Sequence, residues 1–166
     1  MEMQLHWCKK WHESQFQLFL DDQQIGEISP VVFSRKAIAC LYGEKYIFRP
    51  KGILLRKIEI SDAGTHRLLG EIYFMGLGIH GVILLNAEET FQLRCKNIFA
   101  GRWTISRSSR ELITYTGNHM KGKIQSDWPG HTVLLAGLYA GIFQWRKFIL
   151  LIVIFIPLIV IFIRTI

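Results

Sequence analysis

Three side chains near the start of the chain belong to residue types that bind metal ions. His6, Cys8 and His12 offer two imidazoles and one thiol within seven residues. A structural zinc site needs four ligands, and this spacing matches none of the usual zinc patterns. The other cysteines, Cys40 and Cys95, are dispersed, so all three thiols are expected to be reduced, as in a cytosolic protein. We therefore predict no metal site and no cofactor.

Residues that could catalyse a reaction are scattered. The chain contains no GxSxG, HExxH or P-loop motif that would mark a hydrolase. The segment MGLGIHG has the spacing of a dinucleotide-binding GxGxxG motif, but the following GVILL indicates a strand where that motif requires a helix. The sequence thus predicts a protein that is not an enzyme.

Basic residues are the second group that could bind a ligand. The 166 residues hold 20 Lys and Arg against 13 Asp and Glu, a net charge of +7, and no acid follows Asp127. This excess gives no reason to expect a nucleic-acid ligand. Six cations could share one face of the fold and bind anionic lipid headgroups, or could form a solvated surface diluted by interleaved acids. These six are Arg49, Lys51, Arg56, Lys57, Arg94 and Lys96.

Arg146 and Lys147 are stronger candidates for headgroup contact, because the uncharged run FILLIVIFIPLIVIFI follows them at 148–163. Its sixteen residues would cover about 24 Å as a helix, slightly less than the roughly 30 Å hydrocarbon core. Flanking cations and local thinning of the bilayer can make up the difference. We predict one kinked transmembrane anchor with six membrane-embedded candidates, Phe148, Ile152, Phe155, Pro157, Ile159 and Phe162. The alternative is a helix buried in protein, although the run lacks a polar face.

The topology follows from the position of this run. Residues 1–11 contain no apolar h-region, so no secretory signal is expected, and insertion through the final run would leave the bulk of the chain in the cytoplasm. Two cations precede the run and one follows it, a small bias in the same direction. Periplasmic placement through another insertion route is the alternative.

The elements that must position these residues are of two kinds. Residues 132–145, TVLLAGLYAGIFQW, predict a helix that packs inside protein, because its alanines and glycines at helical spacing let other groups approach closely. Between residues 14 and 125 the chain alternates short apolar runs with turn residues, which predicts an all-β body of about eleven strands. These are FQLFL, IGEI, AIACL, KYIF, KIEI, HRLLGEIYF, GVILL, TFQLRC, RWTIS, ELITYT and GKIQ.

Part of this body repeats with an offset of 45 residues. The segment YIFRPKGILLRKIEIS at 46–61 aligns without gaps on FQLRCKNIFAGRWTIS at 91–106, with five identities that include Arg49 with Arg94 and Lys51 with Lys96. The match indicates a repeated β-meander, or a coincidence between similarly patterned strands.

The order of elements resembles the tubby C-terminal-like fold shared by tubby and phospholipid scramblases. The resemblance rests on strands in two loosely repeated halves followed by the helix at 132–145, with FRPKGILLRKIEISDAGTHRLLGEI similar to the family's strand and turn pattern. It implies a closed antiparallel barrel of eleven to twelve strands around a central hydrophobic helix. The domains would then be an N-terminal segment at 1–13, the barrel domain at 14–147 and the anchor at 148–163.

Two functional hypotheses follow. The first is a noncatalytic, tail-anchored membrane protein whose cytosolic barrel binds lipid headgroups or a protein partner at the membrane. The alternative is a lipid-moving, scramblase-like protein, which would need a polar path across the bilayer. The run at 148–163 has no polar residue, and no match to the scramblase calcium-binding segment is present, so the first hypothesis is favoured.

Overall fold

The computed structural model describes residues 3–31, 34–52, 56–75, 80–86, 88–97 and 101–164. Beyond Lys147, side chains are described at Ile149, Val153 and Pro157. Within these ranges the chain forms strands followed by one long helix, and the bounds given below are those of the structure.

Twelve antiparallel strands form a closed barrel, in the order β1-β12-β11-β10-β9-β8-β7-β6-β5-β4-β3-β2. Each strand pairs with its neighbours in the chain, and β1 closes the barrel between β2 and β12. The strands are β1 (Met3–Cys8), β2 (Phe16–Leu20), β3 (Gln23–Pro30), β4 (Ala37–Leu41), β5 (Glu44–Lys51), β6 (Lys57–Asp62), β7 (Leu68–Met75), β8 (His80–Leu85), β9 (Glu89–Asn97), β10 (Arg102–Arg107), β11 (Arg110–Gly117) and β12 (Lys121–Ser126).

The all-β prediction is confirmed, and each of the eleven predicted runs overlaps one of the strands β2 to β12. The additional strand, β1, lies in the range 1–13 that the sequence analysis placed before the barrel. Its inward residues Leu5 and Trp7 are buried, and its whole length pairs with β12. Met3, Leu5 and Trp7 alternate with more polar residues, so the signal of a strand was present in the sequence.

The repeat corresponds to two equivalent hairpins. In β5–β6, Phe48 lies opposite Ile60, and in β9–β10 Leu93 lies opposite Ile105, which are the residues 45 positions later. All four side chains are buried. The 45-residue offset therefore preserves both the strand pairing and the inward face.

Tight turns allow the strands to follow one another so closely. The β4–β5 hairpin turns at Tyr42 and Gly43, whose φ angles of 50° and 86° are both positive. Two successive positive φ angles match the right-handed twist of the flanking strands, and glycine adopts them without steric cost.

The helix α1 (His131–Arg164) joins the two apolar stretches, 132–145 and 148–163, that were predicted as separate elements. Arg146 and Lys147 are good helix formers, so nothing interrupts the backbone hydrogen bonding between the stretches. Its first three turns are buried in the same apolar core as the inward faces of the strands. The prediction that residues 132–145 pack inside protein is confirmed.

Close packing of α1 depends on two glycines. A Cβ on Gly137 would lie 2.4 Å from Ile105 Cδ1, and a Cβ on Gly141 would lie 2.3 Å from Trp103 Cζ2. Trp103 Nε1 donates a hydrogen bond to the Gly137 carbonyl at 3.0 Å, and Tyr115 Oη donates to the Leu134 carbonyl at 2.8 Å. These contacts fix the depth and rotation of the helix relative to β10 and β11.

Candidate functional site

The two ends of the barrel can be told apart by where the helix begins and where it leaves. At one end, His131 Nδ1 lies 2.9 Å from Glu44 Oε2, beside the β4–β5 turn. At the other end, the ring of Trp145 lies 6.4 Å from that of His119, in the β11–β12 turn. Because the strands form an up-and-down meander, successive connections lie alternately at these two ends.

The end where the helix begins is acidic. Counted from the last residue of one strand to the first of the next, its connections carry seven carboxylates and three cations. Arg107 pairs with Glu89 at 2.9 Å, and Arg110 lies 3.8 Å from Asp127. We call this the acidic end; its charged residues are Asp21, Asp22, Glu44, Asp62, Glu88, Glu89, Asp127, Arg67, Arg107 and Arg110.

The end where the helix leaves the barrel is basic. Its connections, counted in the same way and together with Arg146 and Lys147, carry eleven cations and one carboxylate. That carboxylate, Glu13, is paired with Lys10 at 3.1 Å. We call this the basic end; its cations are Lys9, Lys10, Arg35, Lys36, Lys51, Arg56, Lys57, Arg102, Lys121, Arg146 and Lys147.

Five of the eight predicted headgroup candidates meet at the basic end: Lys51, Arg56, Lys57, Arg146 and Lys147. Two of them have carboxylate partners on the outer wall of the barrel, since Lys51 lies 3.3 Å from Glu59 and Lys57 lies 2.6 Å from Glu71. These pairs reduce the positive charge that Lys51 and Lys57 present to a ligand.

The other three candidates lie along the strands. Arg49 and Arg94 point outward from β5 and β9, and Lys96 pairs with Glu111 on β11. Arg94, together with Met75 and His80, lines an open groove of about 540 Å³. The structure therefore divides the predicted set between the basic end and the barrel wall.

Sequence reasoning missed six members of the basic end: Lys9, Lys10, Arg35, Lys36, Arg102 and Lys121. They are far apart in the chain and share no motif. A usable signal existed, because an up-and-down meander places every second connection at the same end. Summing the charge over alternate connections separates the basic end from the acidic end.

Arg56 and Lys147 are neighbours at the basic end and share Phe74 as a support. The Lys147 ammonium lies 4.7 Å from the ring centre of Phe143 and 5.6 Å from that of Phe74. The two rings stack at 5.9 Å, and the Phe74 backbone N–H donates to the Arg56 carbonyl at 2.8 Å. Partial burial and the nearby charge of Arg56 both lower the pKa of Lys147. Two like charges are thus held close together.

Contacts at the acidic end instead hold the helix start in place. Glu44 accepts a hydrogen bond from Tyr46 Oη at 2.7 Å and contacts His131, whose ring packs against Tyr42 at 5.1 Å. Hydrogen bonds from Tyr46 and His131 lower the pKa of Glu44. Burial and the hydrogen bond to Glu44 raise the pKa of Tyr46 to about 12.

The residues first considered as metal ligands have other contacts. His6 stacks on Phe19 at 5.0 Å, and His12 Nε2 lies 3.7 Å from Glu13 Oε1. Among the described residues, no three His, Cys, Asp or Glu side chains are placed to hold a metal ion.

The helix beyond Lys147 is described as backbone with a few side chains. Ile149 is 38% exposed, Val153 is 61% exposed, and Pro157 is also exposed. The other predicted membrane-embedded side chains lie outside the described residues: Phe148, Ile152, Phe155, Ile159 and Phe162. A search confined to the residues that the structure describes finds no helix long and apolar enough to cross a membrane.

Comparison with known proteins identifies the fold and no family. No protein-family model and no curated protein matches the chain. A crystal structure of a protein from Arabidopsis thaliana superposes with a TM-score of 0.63, over 87% of this chain and 91% of that chain, at 10% sequence identity. At this identity the likeness shows a shared fold alone.

Proposed function

We propose that the protein is a noncatalytic membrane-anchored module whose barrel is held with its basic end against an anionic bilayer surface. The observation that carries this proposal is that α1 leaves the barrel at the basic end, among eleven cations and one carboxylate. The helix then continues into the uncharged run at 148–163. An anchor at this point would bring the cations, and not the acidic end, to the headgroups.

Electrostatics supports this orientation. Each cation close to an anionic membrane surface contributes about 1 kcal/mol, and the effect fades within a Debye length of roughly 8–10 Å. Strands of five to nine residues separate the two ends, at about 3.3 Å per residue, so the carboxylates of the acidic end would lie outside that range. In this orientation the cations of the basic end are attracted to the anionic surface, while the carboxylates of the acidic end are too far away to be repelled by it.

Exposed apolar side chains near the point where the helix leaves the barrel also support this orientation. Trp11 is 88% exposed in the β1–β2 connection at the basic end, and Met75 is 55% exposed at the end of β7. Exposed large apolar residues next to cations are typical of proteins that contact the membrane interface. Ile149 and Val153 extend this apolar character along the helix.

Two finer statements belong to the same proposal. The bulk of the chain would lie in the cytoplasm, with residues 148–163 as the single membrane crossing, which the flanking cations support. The barrel would belong to the tubby C-terminal-like superfamily, which is supported by a closed barrel of twelve strands followed by a helix buried in its core.

Membrane extraction tests the anchor. Full-length protein and a version ending at Lys147 are expressed in cells, and their membranes are washed with alkaline carbonate. We expect the full-length chain to stay in the pellet and the shortened chain to be released. Protease added to intact spheroplasts or vesicles should spare a cytoplasmic barrel. Release of both proteins by carbonate would contradict the proposal.

A fluorescence experiment tests the orientation. In a cysteine-free background, a fluorophore is attached at Trp11→Cys at the basic end or at Leu68→Cys at the acidic end, both of which replace exposed side chains. Full-length protein is reconstituted in vesicles that carry a headgroup quencher. We expect strong quenching at position 11 and little at position 68. Equal quenching at both positions would show that the barrel has no fixed orientation.

A further inference from the structure

Trp11 lies on a short turn at the basic end, in the connection between β1 and β2. The Glu13 backbone N–H donates to the Lys10 carbonyl at 3.1 Å, and Lys10 Nζ lies 3.1 Å from Glu13 Oε1. The Lys9 backbone N–H donates to the Met120 carbonyl at 2.7 Å, which joins this connection to the β11–β12 turn. The backbone of the turn is thus held from two directions, whereas the Trp11 side chain is 88% exposed.

The connection that carries Trp11 lies beside the exit of the helix. His119 belongs to the same β11–β12 turn, and its ring lies 6.4 Å from that of Trp145 on α1. Trp145 precedes the uncharged run at 148–163 by three residues. One backbone hydrogen bond and one ring contact therefore link the Trp11 connection to the point where the helix leaves the barrel.

We propose that Trp11 inserts its indole into the interfacial layer of the bilayer, as a second membrane contact beside the helix. The inference deepens the proposed function and rests on it for the position of the bilayer against the basic end. An indole combines a large apolar ring with one N–H donor, which suits the layer between the headgroups and the acyl chains. Together with the helix, this contact would tilt the barrel toward β1 and β12.

The surroundings of Trp11 favour a bilayer over a protein partner. Among the described residues, no other exposed large apolar side chain lies on β1, β2, β11 or β12 or in the connections between them. A stable protein interface buries about 800 Å² on each partner, which a lone indole between Lys10 and His12 cannot supply. One indole is, however, enough to insert between lipids.

The carboxylate nearest to Trp11 in the chain does not oppose this contact. Glu13 is the only acid in the connections of the basic end. Besides Lys10, His12 also lies beside it, with His12 Nε2 at 3.7 Å from Glu13 Oε1. The negative charge of Glu13 is therefore offset within the turn, and the indole can approach an anionic surface.

Tryptophan fluorescence of the full-length protein tests this contact, in vesicles of phosphatidylserine and phosphatidylcholine. The emission of Trp11 is obtained as the difference between wild type and Trp11→Phe. Lipids brominated in the upper part of their acyl chains quench an inserted indole, and iodide on both sides of the bilayer quenches an indole in water. The matched control is Leu68→Trp in the Trp11→Phe background, which places an indole at an exposed position of the acidic end. Both substitutions replace exposed side chains, so the fold should be kept.

We expect brominated lipid to remove most of the Trp11 emission and iodide to remove little of it, with the opposite pattern for the control indole. Trp11 emission that iodide removes and brominated lipid leaves would overturn the inference, because the indole then stays in water and is free for a protein partner. The inference also fails if Trp11 and the control indole are quenched alike.

Carbonate extraction of the same wild-type vesicles separates failure of this contact from failure of the proposed function. A chain that resists carbonate while iodide quenches its Trp11 keeps the anchor and removes the contact. A chain that carbonate releases removes the anchor, whereas its Trp11 emission before extraction still decides whether the indole enters the bilayer.

Discussion

The acidic end and the basic end are joined by the same twelve strands, yet they differ in charge and in contacts. Residues of the acidic end contact one another: Glu44 contacts Tyr46 and His131 and so holds the start of the helix. Most cations of the basic end are exposed, and partial burial and the charge of Arg56 lower the pKa of Lys147. One end therefore makes contacts within the fold, whereas the other carries the exposed cations on which the proposed function rests.

The largest expected effect concerns the helix that links the two ends. In Gly137→Leu, the new Cβ would lie 2.4 Å from both Ile105 Cδ1 and Tyr115 Oη, in a part of the core that cannot expand. We expect a loss of at least about 3 kcal/mol in the free energy of unfolding, or no folded protein. Denaturant unfolding in micelles, followed by circular dichroism, measures it.

The control for this change is Gly64→Ala at the acidic end. Its Cβ would meet only Asp62 Oδ1, at 3.4 Å, which is an ordinary contact distance. We expect a change within about 0.5 kcal/mol. A Gly137→Leu variant as stable as this control would mean that the helix is not packed as described.

The next effect tests whether charge orients the barrel. Replacing Lys9, Lys10, Arg35 and Lys36 with Gln removes four cations from the basic end, each of which contributes about 1 kcal/mol near an anionic surface. We expect headgroup quenching of the fluorophore at position 11 to fall, in phosphatidylserine vesicles, toward its level in phosphatidylcholine vesicles, with seven cations left at the basic end. Changing Arg67 and Arg110 to Gln, which removes two of the three cations at the acidic end, should leave the quenching as it is.

Acid should affect the two ends unequally. Because hydrogen bonds lower the pKa of Glu44 below its usual 4.5, the stabilisation from this group is present above pH 4.5 and is lost as the pH falls through the lower, folded-state pKa. The connections at the basic end, in contrast, carry a single carboxylate. We expect the thermal midpoint in micelles to fall as the pH falls below 4.5, and to fall less in Glu44→Gln.

An equal fall in wild type and Glu44→Gln would assign the acid sensitivity to other carboxylates. Asp62 is a second candidate, because hydrogen bonds from Thr65 and Gly64 lower its pKa as well. The double variant Glu44→Gln/Asp62→Asn separates the two contributions.

The smallest expected effect comes from exchanging Asp and Asn between two turns. In both turns a side-chain oxygen accepts hydrogen bonds from backbone N–H groups. Asp62 Oδ1 accepts the backbone N–H of Gly64 at 3.0 Å in the β6–β7 turn at the acidic end. Asn118 Oδ1 accepts those of Met120 and Lys121 at 2.8 and 3.0 Å in the β11–β12 turn at the basic end. Either side chain supplies the same acceptor, so Asp62→Asn and Asn118→Asp should each change the free energy of unfolding only slightly.

These two variants test whether the charge in each turn is needed for folding. If both keep their stability, the sign of the charge in each turn is not required for folding. The negative charge of Asn118→Asp should then slightly weaken the quenching at position 11, whereas Asp62→Asn should not. A large loss of stability in either variant would show that the turns are not interchangeable.

Much of the local structure could be predicted from the order of residues. Strands β2 to β12 were recognisable because apolar and polar residues alternate with the period of a strand and turn residues separate the runs. The helix was recognisable because its small residues recur at helical spacing. The strand β1 was overlooked because Leu5 and Trp7 stand among residues that were first assessed as metal ligands.

The candidate site was only partly predictable, for a physical reason. Arg146 and Lys147 were identified because an apolar run follows them directly, and that is a property of neighbours in the chain. The influence of Arg56 on Lys147 depends on the closure of the barrel and on the length of helix inside it. The pairing of Lys51 with Glu59 and of Lys57 with Glu71 likewise depends on the register between strands.

By itself, the sequence determined which segments become strands and helix, since these follow from the period of apolar residues, a property of nearby positions. Only the tertiary structure decided which connections share an end of the barrel, because that depends on how many strands close it and in what order. The separation of charge into an acidic and a basic end arises at that second level, where residues far apart in the chain meet.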